Sequence, residues 1–281
     1  MHLITYEGLA TQDIVTCLGR LRVRSIGQGD AIVFWSSLLM SGHMWMAQVR
    51  YFSNRYRVIL IDPPGHGDSE KLTRGFTFSE CAQCVVEVLD ELGVEKTHFI
   101  GNSWGGMIGG TFAAMYPDRV GAAVLMNCTG SPAGLRQRVE FPLLAGLIRL
   151  FGGFRGFTLN AATRAFVGPT VEHEKPNVIA HIHKALQACN VDSIAWAVAS
   201  VVPSRPNQLS LLAAVRSSVL VIAGKEDRTF SVDETREMAR AIPGAKFVMM
   251  ERTAHLAALE SPAEVNRLID RFLKKVEETS Q

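Results

Sequence analysis

The run His98-Phe99-Ile100-Gly101-Asn102-Ser103-Trp104-Gly105-Gly106 constrains this 281-residue chain more than any other segment. It reads as an apolar strand entering Gly-x-Ser-x-Gly, followed by a helix from Met107 onward. A serine between a strand and a helix joined so abruptly sits in a strained backbone conformation. Side chains at positions 101 and 105 would collide as the two elements close in, and Gly106, Gly109 and Gly110 extend the close approach. The turn lifts the Ser103 hydroxyl out of the sheet and aims a helix N-terminus, with its free N–H groups, at the reacting centre. The pentapeptide alone is a weak signal; its position after a fifth strand gives it weight.

That position follows from the alternation of short β-branched runs with amphipathic segments, which implies an α/β fold with a mostly parallel sheet. The candidate strands are 14–18, 21–26, 31–35, 58–62, 98–101, 122–127, 219–223 and 246–250. The first two are joined too tightly for a crossover and are expected to form an antiparallel hairpin. Ser231 with Glu234, and Ser261 with Pro262 and Glu264, mark helix starts. The last helix carries the stripe Val265, Leu268, Ile269, Phe272, Leu273 against the sheet. Between Ser131 and Ser210 the alternation stops, so residues 1–130 and 211–281 are expected to form one core domain, with 131–210 a helical cap insertion. The insertion holds Phe141, Leu143, Leu144, Leu147, Ile148, Phe151, Phe154 and Phe157; one of its surfaces is expected to close over something apolar, unless these residues only pack its own helices.

A serine hydroxyl needs a base, and the base a partner that fixes its tautomer. After the seventh strand comes Gly224-Lys225-Glu226-Asp227-Arg228 and after the eighth Arg252-Thr253-Ala254-His255-Leu256. Both lie at the carboxyl ends of strands, where sites in open α/β sheets are built. Ser103 is therefore the expected nucleophile, His255 the base and Asp227 its orienting acid, ahead of the neighbouring Glu226. Asn127, after the sixth strand, cannot serve as an acid. The other histidines, among them His66, His181 and His183, read as structural or surface residues.

Composition narrows the partners. With 47% hydrophobic and 20% charged residues the chain can bury a large core. A net charge of +2 builds no basic field for nucleic acid or a membrane surface. No basic flank precedes an apolar leader, and no run of about 18 uncharged apolar residues occurs, which points to an uncleaved cytoplasmic protein. The five irregularly spaced cysteines argue against a disulfide framework. Cys81 and Cys84 form a CxxC, but they fall in the helical stripe Cys81, Cys84, Val85, Val88, Leu89, Leu92, and read as core rather than redox or metal ligands. No metal or cofactor is expected; a small-molecule partner is, and a homodimer is compatible with the sequence.

Together with Asp62-Pro63-Pro64-Gly65-His66-Gly67-Asp68-Ser69 after the fourth strand, these contexts resemble the α/β-hydrolase superfamily over nearly the whole chain. The resemblance implies an eight-stranded, mostly parallel sheet with a helical cap, and it leaves His66 and Asp68 outside the catalytic set. One departure is informative. Most members carry His-Gly after the third strand, and the next residue donates the second oxyanion N–H; this chain has Trp35-Ser36-Ser37. The register through Trp45 makes Ser37 the expected donor beside Trp104. A similar replacement, Ser-Asn-Ser-Leu with tryptophan eight residues beyond its last serine, occurs in the 3-oxoadipate enol-lactonase group, which Gly105-Gly106-Met107-Ile108-Gly109 also resembles. The implied activity is cleavage of a carboxylic ester or lactone, of a rather apolar molecule given the insertion. The alternatives are carbon–carbon bond hydrolysis of the meta-cleavage product type, whose elbow is similar but whose glycine-rich oxyanion loop is missing here, and a non-catalytic ligand receptor on the same fold. His43, Met44 and Trp196 are the expected substrate contacts.

Overall fold

The computed structural model describes residues 4–280. The chain opens on a hairpin, β1 (Ala10–Thr16) against β2 (Gly19–Ile26), antiparallel from Ala10↔Ser25 to Thr16↔Gly19. The first strand ends two residues before the expected Leu18, because Cys17-Leu18 form the turn and Gly19 follows at φ 93°, a conformation glycine adopts without a side-chain clash. There follow β3 (Ala31–Trp35), α1 (Met46–Phe52), β4 (Arg57–Ile61), α2 (Phe78–Glu91), β5 (Thr97–Asn102), α3 (Trp104–Met115) and β6 (Val120–Met126). Then come α4 (Leu135–Leu150), α5 (Gly156–Phe166), α6 (Pro169–Glu174), α7 (Pro176–Ala188), α8 (Val191–Val201) and the short α9 (Leu209–Leu212). The chain closes with β7 (Ser218–Gly224), α10 (Val232–Ala241), β8 (Lys246–Met250), α11 (Ala257–Glu260) and α12 (Pro262–Ser280).

Among the described residues the sheet has eight strands in the order β1-β2-β4-β3-β5-β6-β7-β8, with β1–β2 and β2–β4 antiparallel and every later pair parallel. Both faces are covered, which is why the central strands are apolar throughout rather than alternating with polar residues. In β3, Ala31, Val33 and Trp35 join the core under α2, α3 and α10, while Ile32 and Phe34 join the core under α1 and α12. The α2 stripe Cys81, Cys84, Val85, Val88, Leu89 is fully buried, each large side chain contributing ~1.5–3 kcal/mol by leaving water. Its first turn is closed by Thr77 Oγ1 accepting from Glu80 N–H at 3.2 Å and Glu80 Oε2 accepting from Thr77 N–H at 2.7 Å. The same reciprocal box, Ser231 with Glu234, starts α10.

Between β6 and β7 the expected apolar set divides. Ile148 and Phe154 are buried on the face shared with α1 and α12, and Phe141 and Leu144 pack partly against it. Leu143 (65% exposed) and Phe157 (73% exposed) face outward. Among the described residues no helix is long and apolar enough to cross a membrane.

Candidate active site

Parallel strands β3, β5, β6, β7 and β8 bring their carboxyl ends to one edge, and the chain leaves that edge at Ser36, Ser103, Asn127, Lys225 and Glu251. At the first of the functional turns Ser103 adopts φ 58°, ψ −116°, outside the regions L-residues favour, at a cost of ~1–3 kcal/mol. The neighbours hold it there: Ser103 N–H donates to the Met126 carbonyl at 2.7 Å, and Met107 N–H donates to the Ser103 carbonyl at 3.0 Å. A Cβ at position 101 would lie 2.1 Å from the Gly105 carbonyl oxygen, and one at position 105 would lie 2.1 Å from that of Trp35. Both obstacles are backbone, so neither can move aside. Because the turn is a single residue, α3 starts at Trp104, three residues before the expected Met107.

Ser103 Oγ lies 2.8 Å from His255 Nε2, and His255 Nδ1 lies 2.8 Å from Asp227 Oδ2. With a carboxylate on Nδ1, the proton belongs on that nitrogen; Nε2 is left as acceptor for the Ser103 O–H. Asp227 is buried, and four donors compensate it: Oδ1 accepts from the N–H groups of Thr229 (2.7 Å) and Phe230 (3.1 Å), and Oδ2 accepts from His255 Nδ1 and from Asn127 Nδ2 (3.2 Å). Glu226, the rival acid, faces away. Its carboxylate accepts from Thr170 N–H at 2.8 Å and Thr170 Oγ1–H at 2.7 Å at the start of α6. The rings of Phe166 and Phe230 flank His255, their centroids 5.8 and 5.6 Å from its own.

The turn after β3 faces the elbow. Of its N–H groups, Leu39 donates to His66 Nε2 at 3.0 Å and Met40 donates to the Ser37 carbonyl at 3.0 Å. Those of Ser37 and Leu38 are engaged by no acceptor among the described residues. Leu39 itself has φ 67°, so the turn carries a strained residue that His66 pins. Since His66 Nε2 accepts, its proton sits on Nδ1, which donates to the Pro64 carbonyl at 2.9 Å. Burial lowers the His66 pKa to about 4 and keeps the ring neutral. Trp104 turns its indole into the core, edge-on to Trp35 and stacked on Phe76, so only its backbone can serve the site.

Residues 30–262 match the model of the family described as alpha/beta hydrolase fold. The chain belongs to the α/β-hydrolase family. Among curated proteins, 3-oxoadipate enol-lactonase 2 of Acinetobacter baylyi is 26% identical over 273 residues, 96% of this chain and 97% of that protein. The 2-hydroxy-6-oxononadienedioate/2-hydroxy-6-oxononatrienedioate hydrolase of Paraburkholderia phymatum is 30% identical over 78% of this chain and 76% of that one. Among solved structures, a thermophilic esterase from Thermogutta terrifontis, determined with malate bound, superposes with a TM-score of 0.87 at 25% identity, covering 95% of this chain and 99% of that one.

In this α/β-hydrolase the expected substrate contacts do not gather around Ser103, His255 and Asp227. His43 stacks on Tyr6 at a centroid distance of 3.5 Å and lines a cavity of about 630 Å³. That cavity lies at the seam between the core and α7, and is bounded by Leu39, His66, Lys71, His181 and Lys184; Ser103 and His255 are not among its walls. Met44 is 1% exposed inside the core, and Trp196 is 40% exposed on α8.

Three residues not singled out in the sequence as helpers hold the His255 loop in place. Asn127 Nδ2 donates to the Ala254 carbonyl at 2.8 Å as well as to Asp227, and Asn102 Nδ2 donates to the His255 carbonyl at 2.9 Å. Glu260 clamps the loop from below: Oε2 accepts from Ala254 N–H and Oε1 from Leu256 N–H, both at 2.7 Å. Burial pushes the Glu260 carboxyl up to about 7, against the opposing pull of those two N–H groups. The only local signal for it is its spacing, five residues after His255 and directly before the Ser261-Pro262 helix start.

Proposed function

We propose that this α/β-hydrolase is a serine hydrolase that cleaves a carboxylic ester or lactone through an acyl-enzyme. The observation that carries the reading is the continuous hydrogen-bonded line Ser103 Oγ, His255 Nε2, His255 Nδ1, Asp227 Oδ2, with both links at 2.8 Å. Ser103 Oγ attacks the carbonyl carbon as His255 Nε2 takes its proton, and Asp227 stabilises the imidazolium that results. The negative charge on the carbonyl oxygen is held by N–H groups of Trp104 and Ser37, with Leu38 N–H beside the latter and the N-terminus of α3 adding its partial positive charge. His255 then protonates the leaving alkoxide. A water, deprotonated by the same nitrogen, attacks the acyl-enzyme and regenerates Ser103. The lactonase and esterase relatives support this substrate class, as does the Ser36-Ser37 replacement after β3.

A second reading, hydrolysis of a carbon–carbon bond in an unsaturated hydroxy-oxo acid, draws support from the Paraburkholderia phymatum relative. The same base and nucleophile would serve it. The test is the intact mass of wild type and Ser103→Ala after exposure to a fluorophosphonate, with peptide mapping, followed by turnover of esters, lactones and hydroxy-oxo dienoates. Stoichiometric labelling of Ser103, absent from the variant, with turnover of esters or lactones is the expected result. Turnover of the dienoates alone would select the second reading, and a folded protein that neither labels nor turns over would make it a receptor.

A further inference from the structure

The CxxC pair of α2 is not the cysteine pair that the fold assembles. Cys81 points into the core, whereas Cys84 Sγ lies 3.6 Å from Cys17 Sγ, a residue 67 positions away at the turn between β1 and β2. One turn further along α2, the Glu87 carboxylate completes a group whose three ligand atoms all lie within 4.8 Å of one another.

We propose that Cys17, Cys84 and Glu87 form a binding site for a thiophilic divalent cation of the zinc type, which clasps the β1–β2 turn to α2. In a tetrahedral site with metal–sulfur bonds of about 2.3 Å, the two sulfurs stand roughly 3.7 Å apart. The separation of 3.6 Å between Cys17 and Cys84 already meets that demand, while a disulfide would need the sulfurs to close to about 2.05 Å. The carboxylate is held ready by donors outside the group. Glu87 Oε2 accepts from Cys17 N–H at 2.9 Å and Oε1 accepts from Gln83 Nε2 at 3.2 Å, the outer hydrogen bonding that fixes a metal ligand's orientation. Cys17 is exposed and gives the ion a way in, with a water as the remaining ligand; Cys84 is buried and limits the site to one face.

Binding replaces the two thiol protons by the metal and releases both to solvent. The Glu87 carboxylate beside the two sulfurs favours a cation that neutralises the group, and because binding releases protons, affinity rises with pH. The three ligands lie on the hairpin turn and α2, outside the triad, so the site acts on the anchoring of the hairpin and not on the reacting atoms.

The test is a titration of the fully reduced protein with Cd²⁺, followed by the ultraviolet thiolate-to-metal charge-transfer band and by the melting temperature. The expected result is saturation at one equivalent with a rise in melting temperature, loss of both in Cys17→Ser and in Cys84→Ser, and no change in Cys189→Ser. Glu87→Gln should keep the band and move the titration to higher Cd²⁺. Cys17→Ser changes an exposed turn residue, so its folding, checked by circular dichroism, separates lost ligation from lost structure. No band in the reduced wild type, or a band that survives Cys17→Ser, would overturn the proposal. So would a reduced protein that ignores Cd²⁺ but forms a Cys17–Cys84 disulfide in air, which would make the pair a redox couple.

Discussion

Replacing Glu260 by glutamine probes how His255, the proposed base, is held without touching the reacting atoms. The wild-type carboxylate accepts two N–H groups at 2.7 Å from the residues on either side of His255. An amide offers one acceptor oxygen and an NH₂ in place of the other, so the N–H of Ala254 or of Leu256 loses its partner inside a buried loop. Leaving such a donor unsatisfied costs ~1–3 kcal/mol. For a chain of this size that corresponds to a fall in melting temperature of about 2–4 °C per kcal/mol. The same change frees the loop that sets the 2.8 Å contact between His255 and Ser103. A misplacement of about 1 Å at a reacting centre costs on the order of 10²-fold in rate. Steady-state kinetics on an ester that the wild type turns over should show kcat reduced by roughly that factor, with KM unchanged, because nothing in the substrate's binding surface is altered. A pH profile adds a discriminating reading. With its carboxyl pushed up to about 7, Glu260 takes up a proton as pH falls through neutrality, and a protonated oxygen no longer accepts. Wild type then loses the clamp as pH falls through 7, a loss added to the acid limb that protonating the general base causes in both enzymes, so its limb is steeper than that of the glutamine variant. A Glu260→Gln enzyme with wild-type kcat and an unchanged profile would refute the clamp.

Three further outcomes follow from the same geometry. Asp227→Asn should fold and lower kcat by about 10³–10⁴-fold, since an amide NH₂ facing Nδ1 favours the wrong imidazole tautomer; retention of wild-type turnover would remove Asp227 from the triad. Gly105→Ala places a Cβ 2.1 Å from the Trp35 carbonyl oxygen, so it should destabilise the fold by more than ~4 kcal/mol, read as failure to express as folded protein or as a large fall in urea midpoint. His66, held at about 4 against 6.5 when unfolded, contributes stability that is fully present above pH 6.5 and lost as pH falls towards 4, about 3 kcal/mol in all. Urea unfolding between pH 7 and pH 4 should show that loss in wild type and a smaller one in His66→Asn.

Much of the site was legible because its signals are local. A strand that must stop at one strained serine needs glycine at 101 for a reason internal to nine residues, since a Cβ there meets Gly105, whereas glycine at 105 is demanded by the Trp35 backbone of a neighbouring strand; the strand ends before Asp227 and His255 announce themselves by apolar runs that break. The eight strands and the Ser231–Glu234 capping box were readable on the same ground, since each rests on periodicity or on groups three residues apart; the Thr77–Glu80 box carries the same local signal but was not singled out. The edges were less so. The end of β1 was set by glycine geometry at position 19, and α3 began early because the elbow spends only one residue.

What the tertiary structure decided is everything that depends on which distant segments meet. It turned Glu226 towards Thr170 and left Asp227 to His255, brought Asn102, Asn127 and Glu260 onto the backbone of residues 254–256, and set His66 against the turn after β3. It buried Met44, exposed Trp196, and put His43 in a cavity that Ser103 and His255 do not line. It also matched Cys84 with Cys17 rather than with Cys81. Periodicity reports which face of an element is buried, but not what it is buried against. Contacts between residues 27 to 153 positions apart are fixed by sheet order and helix placement, which no short window of sequence contains.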